Sequence, residues 1–177
     1  VGNLQPRKNL STLVRAFRRV LDRHPDLPER LVIVGQPAYG ASDLLREVAD
    51  LQRLSRLEIA GYLPDDQMVA LLQGCTAFAY PSVYEGFGLP PLEAMAAGAP
   101  ALVADIPVMR EVVADAAMRL PATDPAAWEA ALWRVASDEG WRTRLAQAGR
   151  ARAARFTWEA SAERVAAVLE RAAAARS

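Results

Sequence analysis

Apolar positions along this chain switch repeatedly between two periods. Leu10, Leu13, Val14, Phe17, Val20 and Leu21 recur at the spacing of one helix face. Asn9 or Ser11 stands where a cap belongs, and Pro25 lies beyond the end. Leu31-Val32-Ile33-Val34 is a short β-rich run stopped by Gly35, the mark of a buried strand. Residues 41–54 return to helical spacing with Leu44, Leu45, Val48 and Leu51 inward, and Leu57 to Ala60 is a second strand closed by Gly61. A short helix is expected after Pro64, with Asp65 as its cap and Met68, Leu71 and Leu72 on its apolar face. Thr76–Tyr80 reads as a strand, Pro91–Ala97 as a helix, Ala101–Ala104 as a strand and 108–113 as a helix. Met118–Leu120 reads as an edge strand. From Asp124 onward the pattern is helical, in pieces broken near Gly140 and Thr157.

Short strands alternating with helices across tight loops predict an α/β fold, a Rossmann-like doubly wound parallel sheet. No repeat, linker or low-complexity tract divides the chain, so residues 1–177 read as a single domain. Ligands of such sheets bind outside the carboxyl ends of the strands. The junctions Val1-Gly2, Val34-Gly35, Ala60-Gly61 and Tyr80-Pro81 all fall on that edge. Val1-Gly2 itself reads as the end of a strand already under way, and the sequence is therefore expected to be a fragment without its N-terminal part.

Composition removes some alternatives. With 21 basic and 21 acidic side chains the net charge is zero, which gives no electrostatic case for nucleic acid or an anionic membrane. The arginines toward the end are interrupted by Glu and Ala and read as a solvated helix face. No apolar run approaches the length of a membrane span. The single cysteine, Cys75, excludes an internal disulfide and, among apolar neighbours, reads as core. No metal-ligand cluster is evident. His24, the one histidine, suits a helix C-terminus rather than the site junctions. Trp128, Trp133, Trp141 and Trp158 occur only in the helical tail, where packing is favoured over a sugar-stacking platform.

The chemistry concentrates in Ser82-Val-Tyr-Glu-Gly-Phe-Gly-Leu-Pro-Pro-Leu-Glu-Ala-Met-Ala-Ala-Gly98. Gly86 and Gly88 are expected to reach positive φ and let the backbone approach a ligand. Pro91 suits a first helical position, and the free amides of that helix start favour an anion. Glu93 in the first turn has a structural explanation, a carboxylate facing the positive end of the dipole. Glu85 alone could be a solvated loop residue. Both acids bracketing the glycines and prolines point to a ligand carrying hydroxyls and phosphates. A second piece, Gly2-Asn-Leu-Gln-Pro-Arg-Lys-Asn9, places Arg7 and Lys8 beside a helix start, where cations oppose the dipole unless an anion binds.

These segments, with Leu31–Gly35, Gly61–Asp65 and Asp105–Val112, resemble the C-terminal donor-binding domain of retaining GT-B glycosyltransferases, family 4. The resemblance runs nearly end to end. It implies transfer of a hexose from a nucleoside diphosphate sugar to an acceptor hydroxyl, as in mannosyltransferases of polysaccharide biosynthesis. It implies that Glu85 meets the donor sugar and that the amides of Gly86, Phe87, Gly88 and Leu89 approach sugar and distal phosphate. Glu93 would hold the ribose. Lys8 would grip the diphosphate with Arg7, since the arginine many members carry earlier is Asn3 here. Gly2, Gly35, Tyr62 and Leu63 would lie near phosphate, base and ribose. The family usually works without a catalytic metal, so no cofactor beyond the donor is expected. The expected partners are the nucleotide sugar, an N-terminal domain of the same enzyme and an acceptor glycan or lipid-linked glycan. The setting would be cytoplasmic, with membrane contact through the N-terminal domain, and the fragment alone inactive. A GT-B-fold epimerase or phosphorylase, or a non-catalytic nucleotide-binding module, would share much of this pattern.

Overall fold

The computed structural model describes residues 1–174. After a 3₁₀ turn at Pro6–Lys8, the order is α1 (Leu10–Arg23), β1 (Leu31–Val34), α2 (Ser42–Arg53), β2 (Leu57–Gly61), α3 (Asp65–Gly74) and β3 (Phe78–Tyr80). Then come α4 (Leu89–Ala97), β4 (Ala101–Ala104), α5 (Pro107–Val112), β5 (Met118–Leu120), α6 (Pro125–Ser137), α7 (Glu139–Ala153) and α8 (Trp158–Ala174).

Every ladder between named strands is parallel, as the helical crossovers require. The expected single sheet is nevertheless in two pieces. One holds β1 and β2, the other β3, β4 and β5 in that order. In β4 all four residues are buried, because helices cover both faces. Ala101 and Val103 point toward a core built on α4, α5 and the end of α7, whereas Leu102 and Ala104 point toward α1 and α6. A third cluster joins Ile33 and Leu57 to Val14 and Phe17 of α1 and to Leu44, Val48 and Leu51 of α2. Burial of each such Leu, Ile or Phe contributes roughly 1.5–3 kcal/mol.

Several boundaries differ from the sequence reading. Helix α4 starts at Leu89, two residues earlier than expected, with Gly88 as its cap at φ +99°. Pro90 and Pro91 both fit inside its first turn, where no amide is required. Glu93 thus stands beyond the first turn, and the dipole no longer explains it. Gly86 does not adopt positive φ; Gly88 does. Asp65 is the first residue of α3 and makes no side-chain cap. Asn9 holds the cap position of α1 in the left-handed region (φ 52°), but its side chain caps nothing. The break in the tail is at Asp138, whose carboxylate accepts from the Trp141 amide at 2.8 Å, and Gly140 lies inside α7.

The packing expectation holds for three of the tryptophans. Trp128 is fully buried and donates to the Pro121 carbonyl at 3.0 Å. Trp133 stacks on His24 with ring centroids 3.4 Å apart, and the Arg134 guanidinium lies 4.5 Å from the Trp141 ring centroid. Trp158 is 82% exposed and opens α8, a helix with no buried residue.

Candidate functional site

The carboxyl ends of the strands gather the sequence-distant pieces. Gly2 donates to the Val34 carbonyl at 2.9 Å, and Gly35 donates to that of Gly61 at 2.8 Å. The first two turns are pressed together: a Cβ at Gly35 (φ +145°) would stand 2.0 Å from the Gly2 carbonyl oxygen. Only glycine fits there. Beside them the 3₁₀ turn aims Lys8 across toward β3.

Lys8 and Glu85 form the centre. Lys8 Nζ donates to Glu85 Oε1 at 2.8 Å and to the Tyr80 hydroxyl at 2.7 Å, with Nζ also 4.8 Å from the Tyr80 ring centroid. Arg7 Nη1 donates to the same Glu85 oxygen at 2.9 Å and to the Tyr84 carbonyl at 3.3 Å. The Lys8 and Glu85 side chains are each only 11% exposed, whereas that of Arg7 is 43% exposed. Burial pushes the Glu85 carboxyl up, but hydrogen bonding, led by Lys8, outweighs it and holds the group below the usual carboxylate range. Burial, reinforced by the Glu85 charge, pushes the Tyr80 phenol far up, so Tyr80 stays neutral. Ser82 Oγ lies buried beside these groups and has no hydrogen-bond partner among the described residues.

Two charges of one sign meet one of the other here, which leaves the cluster with a net positive charge. Such an arrangement can attract an anion while keeping a carboxylate ionised as an acceptor for hydroxyls.

The loop between β3 and α4 is built around this centre. Gly88 is required by the protein itself, since a Cβ there would also meet Met109 Cε at 2.3 Å. Gly86 is not: its φ is ordinary and a Cβ would meet nothing within 4 Å. Phe87 and Leu89 are exposed, at 46% and 49%. Glu93 is exposed and makes no ion pair or side-chain hydrogen bond among the described residues. Asn3 and Tyr62 are likewise exposed and Leu63 is half-buried, so the structure joins Gly2, Gly35, Lys8, Arg7 and Glu85 directly but leaves Asn3, Tyr62, Leu63 and Glu93 around the rim.

Sequence reasoning missed three contributors. Tyr80 shares Lys8; its signal was a polar ring at the last position of a strand. Asn9 donates to the carbonyls of Ala122 at 2.6 Å and Pro81 at 3.2 Å and accepts from Thr12 Oγ1 at 2.8 Å, so it pins the turn to β3 and to the segment before α6. Phe156 meets Phe87 edge-on with centroids 6.1 Å apart, while the Arg152 guanidinium lies 4.9 Å from the Phe156 ring. No local pattern marks either of the last two.

Comparison with known proteins shows what the chain as a whole is similar to. The chain is 33% identical over 159 residues to an O-antigen chain mannosyltransferase B of Escherichia coli, covering 90% of this chain and 42% of that one. Sucrose-phosphate synthase from Thermosynechococcus elongatus superposes with a TM-score of 0.82 at 25% identity, over 98% of this chain and 45% of that one. Anabaena Alr3699/HepE, solved in complex with UDP, shares the fold with a TM-score of 0.80 at 21% identity, over 96% of this chain and 48% of that one. The chain thus spans about two-fifths of the length of the curated relatives it matches. The model of the family described as glycosyl transferases group 1 matches residues 1–152, and the chain belongs to that family.

Proposed function

We propose that this chain is the nucleotide-sugar-binding half of a retaining hexosyltransferase, the C-terminal domain of a GT-B enzyme of family 4. The observation that carries the reading is the ionised Glu85 held by Lys8 and Arg7 at the strand ends, beside a Gly86 that nothing within the protein requires. On this reading Lys8 and Arg7 hold the diphosphate, helped by the turn at Gly2 and Asn3. Glu85 accepts from sugar hydroxyls, and the backbone from Gly86 through Phe87 and Gly88 to Leu89 closes on sugar and distal phosphate. Glu93, exposed and unengaged, accepts from the ribose. Gly35, Tyr62 and Leu63 border the base. The UDP bound by the similarly folded Alr3699/HepE supports a nucleoside diphosphate in this role.

In the proposed reaction the bond from the anomeric carbon to the diphosphate oxygen breaks, with its electron pair leaving on the nucleoside diphosphate. The acceptor oxygen bonds to the same face of that carbon, and its proton goes to the departing diphosphate. The positive cluster stabilises that leaving group electrostatically. No catalytic metal is invoked. The acceptor glycan is held by an N-terminal domain of the same enzyme, on the cytoplasmic side of a membrane. No helix among the described residues is long and apolar enough to span one.

Titration of the chain with UDP, GDP and ADP, followed by melting temperature, tests this reading. At 100 times its Kd the cognate nucleotide stabilises by about 2.7 kcal/mol. Glu93→Gln and Lys8→Met each weaken that shift. Absence of any shift at millimolar nucleotide, or equal binding by Lys8→Met, overturns the assignment. Sugar transfer by the 177-residue chain alone would overturn the division of labour between two domains.

A further inference from the structure

Glu85 meets its two cations unevenly. Lys8 Nζ and Arg7 Nη1 both donate to Oε1, at 2.8 and 2.9 Å. Oε2 has no partner among the described residues and is not enclosed by them. Neither cation prefers this geometry by itself. An arginine beside a carboxylate grips both oxygens with its planar fork, and an ammonium with three donors can straddle them. Two cations crowded on one oxygen need a cause.

Each is tied by a second acceptor. Lys8 Nζ also donates to the Tyr80 hydroxyl at 2.7 Å, which holds it from the β3 side. Tyr80 is buried and its phenol keeps its proton, so the oxygen meets Lys8 through a lone pair. Ser82 Oγ, enclosed beside it without a partner among the described residues, is free to accept the phenolic proton. Arg7 is held in the same manner. Its Nε donates to Gln5 Oε1 at 3.1 Å, and Nη1 is shared with the Tyr84 carbonyl at 3.3 Å. The fork is thus turned across the carboxylate, and one arm alone reaches it. Two groups stay open side by side as a result. One is Oε2 of Glu85; the other is the third N–H of Lys8, which has no acceptor among the described residues.

We propose that Tyr80 and Gln5 are positioning residues that hold Lys8 and Arg7 to one oxygen of Glu85 and so reserve the other for a hydroxyl of the donor sugar, an assignment that rests on the reading of Glu85 as the acceptor for that sugar. Tyr80 acts through Lys8 and Gln5 through Arg7. Without the phenol oxygen, Lys8 has one acceptor fewer and closes on both carboxylate oxygens. Without Gln5, Arg7 lays its fork flat against the carboxylate. Either change fills the acceptor that the sugar needs and leaves both cations in place beside the diphosphate. The two residues therefore set the preference for a nucleotide sugar over the bare nucleotide, rather than the affinity for the nucleotide.

Calorimetric titration with UDP, GDP and ADP, and with UDP-glucose, GDP-mannose and ADP-glucose, gives for each base the ratio of the nucleotide's Kd to that of the sugar nucleotide. For the base that binds, Tyr80→Phe and Gln5→Leu are each expected to lower this ratio by about tenfold, the worth of one hydrogen bond to a charged group. The Kd of the bare nucleotide changes much less. Gln5→Glu, which keeps an acceptor for Arg7 Nε, retains the wild-type ratio. A crystal structure of ligand-free Tyr80→Phe is expected to show Lys8 Nζ within hydrogen-bond distance of both Glu85 oxygens, against Oε1 alone in the wild type. An unchanged ratio in Tyr80→Phe or Gln5→Leu, equal weakening of nucleotide and sugar nucleotide, or a ratio as low in Gln5→Glu as in Gln5→Leu overturns the assignment. So does Lys8 remaining on Oε1 alone in the Tyr80→Phe crystal structure. If no nucleotide binds the wild type, the functional reading fails instead, and the crystal structures by themselves decide whether Tyr80 holds Lys8 off Oε2. Wild-type binding with a ratio of one removes the sugar contact of Glu85 and this assignment with it.

Discussion

Replacing Lys8 by methionine removes one charge at the centre of the site and keeps most of the side-chain volume. The loss falls on two hydrogen bonds, to Glu85 at 2.8 Å and to the Tyr80 hydroxyl at 2.7 Å. A hydrogen bond to a charged group contributes about 1.5–3 kcal/mol. Glu85 keeps Arg7 at 2.9 Å and its side chain is 11% exposed, so it is not left wholly unpaired and the full cost of a broken buried pair does not apply. A destabilisation of about 2 kcal/mol follows, or about 4–8 °C in melting temperature for a domain of this size. The pH dependence separates this cause from simple loss of packing. The Glu85 carboxyl lies below its ordinary range when folded, so its pairing stabilises fully above the unfolded value near 4.3 and fades as pH falls through the folded value. The gap between wild type and Lys8→Met is therefore expected at pH 7 and should narrow steadily below about pH 4. Thermal melts by circular dichroism across pH 3–7 measure it. A gap under 1 °C at pH 7, or one of constant size over the whole range, would refute the argument.

The two glycines of the loop should part company. Gly88→Ala, at φ +99° against Met109, is expected to cost about 2 kcal/mol or more by denaturant melt, whereas Gly86→Ala leaves stability within about 0.5 kcal/mol and weakens nucleotide-sugar binding. Asn9→Ala frees the carbonyls of Pro81 and Ala122 and should cost about 2 kcal/mol, with faster amide exchange around Pro81 and before α6. Burial pushes the Cys75 thiol up to about 11, so iodoacetamide at pH 8 should label it far more slowly in the folded chain than in urea; equal rates would contradict its placement.

Much of this fold can be read directly along the chain because a strand such as β4 is buried on both faces and a helix such as α1 on one. The Leu31–Val34 and Ala101–Ala104 runs differ visibly from the spaced apolar face of α1. Misplaced boundaries have local causes. Two adjacent prolines obscured the start of α4, since either can occupy a first turn. The order of β3, β4 and β5 had no sequence signal, because strand neighbours are set by tertiary pairing. For the site, Lys8 and Arg7 stand out in one segment and Glu85 in another, and they meet at one oxygen because β3 lies beside the first turn. Asn9 and Phe156 act across 113 and 69 residues in sequence, through Ala122 and Phe87 respectively, and pattern reading has no purchase at that range.

Lys8 already donates to both Glu85 and Tyr80. Any anion that draws it away deprives Glu85 of its nearest donor and leaves a largely enclosed carboxylate with Arg7 alone. A bare phosphate offers little in return, only the one or two O–H donors left on its dianion or monoanion. A phosphate that arrives with a hydroxyl-bearing ring supplies the missing donors in the same step. Under the proposed function the Lys8–Glu85 pair therefore favours a sugar-linked diphosphate over inorganic phosphate.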